Sequence, residues 1–182
     1  MKCPYPILVK TQYGSLRRVP CGQCTACRLN KAREWSIRIM HETLYYDDSV
    51  FLTLTFDDDH LPENGSISKR DVQSFMKRLR KRLKRRVRYF CSGEYGEKSF
   101  RPHYHLILFG IGVDDDVFSN KLYSGKDGFQ CLMKEWPYGT AFVGMVTYDS
   151  ACYVAKYTLK KVTGRGAKEH YEKLGVEPAL ML

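Results

Sequence analysis

The stretch RPHYHLILFG, from Arg101 to Gly110, constrains the fold more than any other part of the chain. Its polar and apolar residues alternate, and a period of two belongs to a half-buried β-strand, where residues i and i+2 project from one face. His103 and His105 then stand side by side, while Tyr104, Leu106 and Leu108 point the other way, into a core. A strand with an apolar face has to lie in a sheet that is covered on that face. The histidine face offers two nitrogen donors suited to a divalent metal.

The flanking segments supply the other elements. A helix opening near Thr25 carries Leu29, Trp35 and Ile39. VFLTLTF, Val50 to Phe56, is β-rich and alternating, and the acidic, Pro- and Asn-Gly-containing run from Asp57 to Ser66 is a loop. Ser68 with Asp71 marks a helix start, and Val72, Phe75, Met76, Leu79 and Leu83 keep helical spacing to about Arg86. VRYFCSGE reads as a strand that turns into HYHLILFG, and residues 112–125 read as irregular. KDGFQCLMKEW reads as a helix stopped at Pro137, TAFVGMVTY as a strand, and Asp149 as the cap of a last helix running to Val162. The order is helix, then β-α-β-β-α-β, then helix. It predicts an α+β fold, an antiparallel sheet with helices packed on one face, RRM-like or ferredoxin-like. No Gly-rich phosphate turn follows the first strand, which argues against a dinucleotide-binding fold. The expected division is a Cys-rich segment and helix at 1–47, a main domain at 48–165 and a tail at 166–182. The apolar ending EPALML reads as that of a fragment of a longer protein.

The chain has 182 residues and a formal net charge of +10, which favours a polyanionic partner, nucleic acid first. In KRLRKRLKRRVR, Lys77 to Arg88, nine of twelve residues are basic and none is acidic. Pairs along the helix therefore cannot neutralise the run. Lys77, Arg78, Arg80, Lys81, Arg82, Lys84, Arg85 and Arg86 are candidate DNA contacts, the plainer reading being a solvated charged face. No stretch approaches the ~20 apolar residues of a membrane span, and MKCPYPILVKTQYG is not a signal peptide. A cytoplasmic protein with no membrane partner is expected. Cysteines in that compartment do not form a disulfide framework. Cys3, Cys21, Cys24 and Cys27 offer four ligands for a structural zinc, with unligated thiols as the other reading. The CGQCTAC core lacks the further cysteine and proline of an iron–sulfur run. Cys91, Cys131 and Cys152 read as small buried residues.

Glu94 lies nine positions before His103, so a hairpin between the two strands would place its carboxylate beside both imidazoles. Two histidines and one carboxylate leave coordination positions open, as a catalytic metal requires. Two exposed strand histidines near a surface glutamate are the bland alternative. In YVAKY, Tyr153 and Tyr157 are one helical turn apart with Lys156 and Lys160 beside them, separate from an apolar stripe of Cys152, Ala155, Leu159 and Val162. Core packing is the plain reading of such a tyrosine pair. A stripe that joins phenols to ammonium groups instead suits phosphate chemistry.

FLTLTF, RPHYHLILFG and YVAKY occur in the order and spacing of the three motifs of HUH endonucleases, the rolling-circle replication initiators. The chain most resembles the initiators of microviruses, the gokushovirus-like group, over about residues 50–162, and the early CGQCTACR resembles that group too. The resemblance implies a metal site of Glu94, His103 and His105 holding Mg2+ or Mn2+. It implies Tyr153 and Tyr157 as paired nucleophiles with Lys156 assisting, and Lys160 as a further DNA contact. The implied activity is that of a nickase and ligase on single-stranded or supercoiled origin DNA, acting through a 5′-phosphotyrosine and leaving a 3′-OH that primes replication. No G-x-x-x-x-G-K-[ST] loop is present, so unwinding and synthesis would fall to a host helicase and polymerase in the bacterial cytoplasm. Two other functions stay open. One is a non-catalytic single-strand-binding module, although HYHLILFG lacks the RRM signature. The other is a metal-dependent hydrolase with no covalent step, which would not need the tyrosine pair. His60, after three aspartates, reads as a solvated loop histidine rather than a ligand.

Overall fold

The computed structural model describes residues 1–62, 64–96, 99–157 and 167–182. Strands β1 (Ile7–Lys10) and β2 (Leu16–Val19) form a separate hairpin, followed by helix α1 (Thr25–Thr43). Next come β3 (Ser49–Thr55), α2 (Lys69–Leu83), β4 (Arg88–Tyr95) and β5 (Pro102–Phe109). A 3-10 turn at Asp116–Phe118 leads to β6 (Lys121–Ser124), β7 (Gly128–Met133) and β8 (Trp136–Met145). Helices α3 (Tyr148–Tyr157) and α4 (Ala167–Leu174) and the short β9 (Leu180–Met181) complete the described elements. Seven strands make one antiparallel sheet in the order β6-β7-β8-β3-β5-β4-β9, so the α+β class is as expected.

The sheet is apolar on both faces, and this divides the helices. Where packing on one face was expected, α2 covers one face and α1 and α3 cover the other. Leu52, Leu54, Cys91, Tyr104, Leu106 and Leu108 meet Val72, Phe75, Met76 and Leu79 of α2 in one core. The alternate residues Phe51, Phe90, Ile107 and Phe109 meet Ile39 of α1 and Ala151 and Val154 of α3 in a second. Ile107 and Phe109 continue the histidine face of β5, so that face is polar at one end only. On α1, Leu29 is exposed, and the buried residues are Cys27, Ala32, Ser36 and Ile39.

The start of α2 is tied to β5. Ser68 Oγ accepts the Arg70 N–H at 3.1 Å. The buried Tyr104 hydroxyl accepts the Ser68 N–H at 2.8 Å and donates to the Asp71 carboxylate at 2.8 Å. The helix ends at Leu83 rather than at Arg86, because Lys84 takes a left-handed φ of 53°. Arg80 then donates to the Val87 carbonyl at 3.0 and 2.7 Å and closes the turn.

Several sequence expectations are corrected. KDGFQCLMKEW is not a helix. It forms β7 and the start of β8, with Phe129, Cys131 and Met133 buried and Gln130 and Leu132 exposed in strand alternation. Pro137 lies inside β8, where the register shifts between Cys131 and Met133 and leaves it without a ladder partner among the described residues. Residues 121–124, expected to be irregular, form β6. Asp149 does not cap α3. Thr147 Oγ1 accepts the Ser150 N–H at 3.1 Å and Ser150 Oγ accepts the Thr147 N–H at 2.8 Å, a reciprocal cap. The stripe that anchors α3 is Ala151, Val154 and Ala155; Cys152 is half-buried, and Leu159 and Val162 lie outside the described residues. The EPALML ending packs at the sheet edge, with Leu180 opposite Gly93 and Leu182 exchanging backbone hydrogen bonds with Cys91 at 2.8 and 2.9 Å.

Gly139 of β8 lies hard against the end of β3. A Cβ there would stand 2.2 Å from the Thr55 carbonyl oxygen, which also accepts the Trp136 indole N–H at 2.8 Å. Gly139→Ala is expected to cost about 1–3 kcal/mol, seen as a lower urea midpoint at unchanged m-value. A wild-type midpoint would mean that β8 is not held this closely to β3.

Candidate active site

β5 is paired along both edges, and the register decides which side chains meet. Glu94 of β4 is opposite His103, while Thr53 of β3 and Ser92 of β4 flank His105. Glu94, His103 and His105 offer ligand atoms that all lie within 4.8 Å of one another, a group able to hold a metal ion. His103 Nε2 is 2.9 Å and His105 Nε2 3.5 Å from the same Glu94 oxygen. Glu94 and His105 are each only 3% exposed, so the carboxylate faces the imidazoles in a setting nearly free of bulk water.

The donor set fits a divalent cation. His103 Nδ1 is 3.1 Å from the Arg101 carbonyl, which can only accept, so that nitrogen carries the proton and donates. Its Nε2 also faces an acceptor, the Glu94 carboxylate. A doubly protonated ring satisfies this arrangement, and so does a cation in place of the second proton. The Thr53 hydroxyl lies 2.9 Å from His105 Nδ1 and can take its N–H, turning Nε2 toward Glu94. Ligating histidines are commonly oriented through their other nitrogen in this way. Two nitrogens and one carboxylate leave coordination positions for a substrate oxygen.

Tyr153 comes to this group from α3. Its ring centroid is 5.2 Å from that of His105 and 6.1 Å from that of Phe51, both nearly perpendicular. Phe51 in turn stacks on His105 at 6.0 Å. Tyr153 is 45% exposed, so solvent and a ligand can reach it. Lys156 is exposed on the same helix, and Tyr157 is its last described residue. Lys160 lies outside the described residues.

The basic helix is placed elsewhere. α2 covers the sheet face opposite to Glu94, His103 and His105. Several of its cations are engaged within the chain. Arg78 donates to the Glu135 carbonyl at 2.8 Å, Arg82 pairs with Glu135 and Asp116 at 3.2 Å, and Arg85 pairs with Asp115 at 2.9 Å. Lys77, Lys81, Lys84 and Arg86 are exposed. His60 is exposed and bound to Asp57 at 2.7 Å.

Cys3, Cys21, Cys24 and Cys27 form a second group within 4.8 Å, at the foot of the β1–β2 hairpin and the start of α1. Cys21 and Cys27 sulfurs are 4.0 Å apart and those of Cys3 and Cys24 3.8 Å. Tetrahedral zinc with Zn–S of about 2.3 Å sets sulfur separations near ~3.8 Å. The backbone N–H of Cys24, then that of Gln23, draws the Cys21 thiol down to about 6, whereas burial pushes Cys27 up to about 12. One ligand is thus favoured as thiolate, while the other gains from a cation that replaces its proton.

Sequence reasoning missed Thr53, Phe51 and the Arg101 carbonyl as supports of the imidazoles. The alternation of FLTLTF puts Phe51 and Thr53 on one face, but that they lie beside His105 follows only from the strand order.

A family model described as replication-associated protein ORF2 matches residues 49–162. The chain is 40% identical over 164 residues to replication-associated protein VP4 of Bdellovibrio phage phiMH2K, covering 83% of this chain and 51% of that one. It is 35% identical over 174 residues to replication-associated protein ORF2 of Spiroplasma virus 4, covering 88% and 52%. Replication-associated protein ORF4 of Chlamydia phage 1 is 28% identical over 153 residues, covering 79% and 38%. The chain therefore spans about half the length of the first two relatives and a smaller share of the third. No solved structure matches it.

Removing the Thr53 hydroxyl should loosen the site without unfolding the sheet. Thr53→Val is expected to weaken Mn2+ binding by roughly 10- to 100-fold, measured by calorimetric titration, while Thr53→Ser stays close to wild type. Equal affinity in all three proteins would show that His105 is oriented by packing alone.

Proposed function

The chain belongs to the replication-associated protein ORF2 family, and we propose that it initiates replication by nicking and rejoining a single DNA strand, as a two-tyrosine HUH endonuclease. The observation that carries this reading is the approach of the Tyr153 ring to His105 at 5.2 Å, beside Glu94 and His103. An accessible phenol next to a cation-binding trio is what phosphodiester transesterification requires. The relatives, named as replication-associated proteins of phages, support the same reading.

A phenol is mostly protonated at neutral pH and gives up its proton as it attacks. The tyrosine oxygen bonds to phosphorus, the bond from phosphorus to the 3′ oxygen breaks, and that oxygen leaves as a 3′-OH. The 5′ phosphate stays esterified to the tyrosine, so a later 3′-OH can reverse the step without ATP. Glu94, His103 and His105 would hold Mg2+ or Mn2+, which supplies Lewis-acid polarisation of a phosphate oxygen. Lys156, within a turn of both tyrosines, offers an ammonium group to the phosphate. Tyr157 lies one turn on, about 6 Å along the axis, and serves the second transfer that rolling-circle replication demands. In this reading residues 48–165 carry the endonuclease, Lys160 and the exposed lysines of α2 contact DNA, and a host helicase and polymerase act beside it in the bacterial cytoplasm. No described helix is long and apolar enough to cross a membrane. The four N-terminal cysteines hold a structural zinc that ties the hairpin to α1.

A denaturation-resistant adduct should form with origin-derived single-stranded DNA and Mn2+ or Mg2+. Tyr153→Phe and Tyr157→Phe should each retain some first cleavage and be more impaired in rejoining, while the double variant forms no adduct. His103→Ala or His105→Ala should nearly abolish cleavage. Adduct formation by the double variant would refute the assignment of the nucleophiles. Metal analysis should find about one zinc per chain, and its absence from freshly purified protein would remove the structural zinc from this account.

A further inference from the structure

Neither hydrophobic core includes any residue of the β1–β2 hairpin. Every residue of its two strands is exposed except Val19, which is half-buried. Opposed residues share a face, so Leu8 and Lys10 stand with Arg18 and Leu16, and Ile7 and Val9 with Val19 and Arg17. A lone two-stranded ribbon is marginal in water, and this one is held at its base. The Cys21 N–H donates to Cys3 Sγ at 3.3 Å, and Asn30 of α1 donates to the Met1 carbonyl at 2.8 Å. Gly14, at φ 79°, closes the tip, where Tyr13 is 86% exposed; Tyr5, before the first strand, is 72% exposed.

Charge identifies what such an arm would meet. Residues 1–33 contain seven lysines and arginines and no aspartate or glutamate. None of Lys10, Arg17 and Arg18 forms an ion pair among the described residues. This contrasts with the arginines of α2, three of which are held by Glu135, Asp115 and Asp116 or the Glu135 carbonyl. The arm also leads into α1, which covers the same sheet face as Glu94, His103 and His105, whereas α2 covers the reverse. A second copy of so basic an arm would repel the first. The aliphatic residues are interleaved with cations rather than gathered into one apolar patch, which does not suit a purely apolar partner.

We infer that the β1–β2 ribbon is a DNA-binding arm that grips an unpaired strand on the active-site side of the sheet. Arg17, Arg18 and Lys10 contact phosphates, and Tyr13 at the tip stacks on a base, the combination that holds single strands without reading sequence. The inference deepens the nuclease reading by naming a surface that holds its substrate, yet it concerns binding and not cleavage.

The test measures binding of an oligothymidylate by the whole chain across a salt series with no divalent metal added. A duplex of equal length is the second arm of the test. Arg17→Ala with Arg18→Ala should lower the salt slope by about 1.4, two phosphate contacts at ~0.7 each. Tyr13→Ala should weaken single-strand binding about tenfold and Tyr13→Phe should restore it. These side chains are exposed, and unchanged circular dichroism and melting confirm that each variant is folded. Wild-type affinity and slope in the arginine and Tyr13→Ala variants would overturn the proposal. So would loss of duplex binding alone, which would assign the arm to paired DNA. Failure of the nuclease reading would appear separately, as no adduct in the wild type with these binding differences intact.

Discussion

β5 is hydrogen-bonded along its full length on both sides, to β3 and to β4. A slip of one residue against both neighbours would exchange its faces. His103 and His105 would then lie under α2, and Tyr104, Leu106 and Leu108 would face α1 and α3. The apolar contacts of Leu106 and Leu108 with Leu52, Val72 and Leu79 make that exchange costly, because each fully buried aliphatic side chain is worth roughly 1.5–3 kcal/mol. The core on one face therefore fixes the metal-site geometry on the other. Tyr104 extends the constraint to α2 through Ser68 and Asp71. The residue between the histidines thus secures the fold that holds them in place.

The histidine face divides its work along the strand. Toward Phe109 it is apolar and packs on α1 and α3; toward His103 it is polar. Burying Glu94 without partners would cost several kcal/mol, and the two imidazoles oppose that cost. Phe51 joins the halves, since it belongs to the apolar cluster and also touches the rings of His105 and Tyr153. Ala151 and Val154 seat α3 on the sheet, and the seat brings Tyr153 to the site. A small-residue stripe lets the helix lie close, so the phenol reaches the imidazole without leaving solvent.

The strand with the histidines was legible because its alternation is strict and its apolar residues are bulky. Glu94 was legible because nine positions suit a hairpin. The β7 segment was misread for a physical reason. Phe129, Leu132, Met133 and Trp136 are spaced as on a helix face, while Phe129, Cys131 and Met133 are spaced as on a strand. Both periods fit so short a run, and the partner strand β8 decides between them. The division of helices between faces was hidden because Phe51 and Phe90 are isolated large residues at positions that local alternation marks as polar. Thr53 was hidden because lateral neighbours depend on strand order, which no single segment encodes.

The two positively charged surfaces now separate in space and in kind. On α2 the charge partly serves the fold: Arg82 sits over Glu135, a residue 4% exposed, and Arg80 closes the helix end. Removing such an arginine would expose a buried carboxylate or an open turn before it changed any contact with DNA. Along residues 1–33 no acidic side chain competes for the cations, and they lead into the helix that covers the active-site face. On the proposed reading the two surfaces can engage different lengths of one DNA. The arm would hold the unpaired strand that reaches Tyr153, and the lysines of α2, behind the sheet, would meet DNA that is not being cut. The sheet between them keeps the second contact from competing with the scissile strand for the metal site.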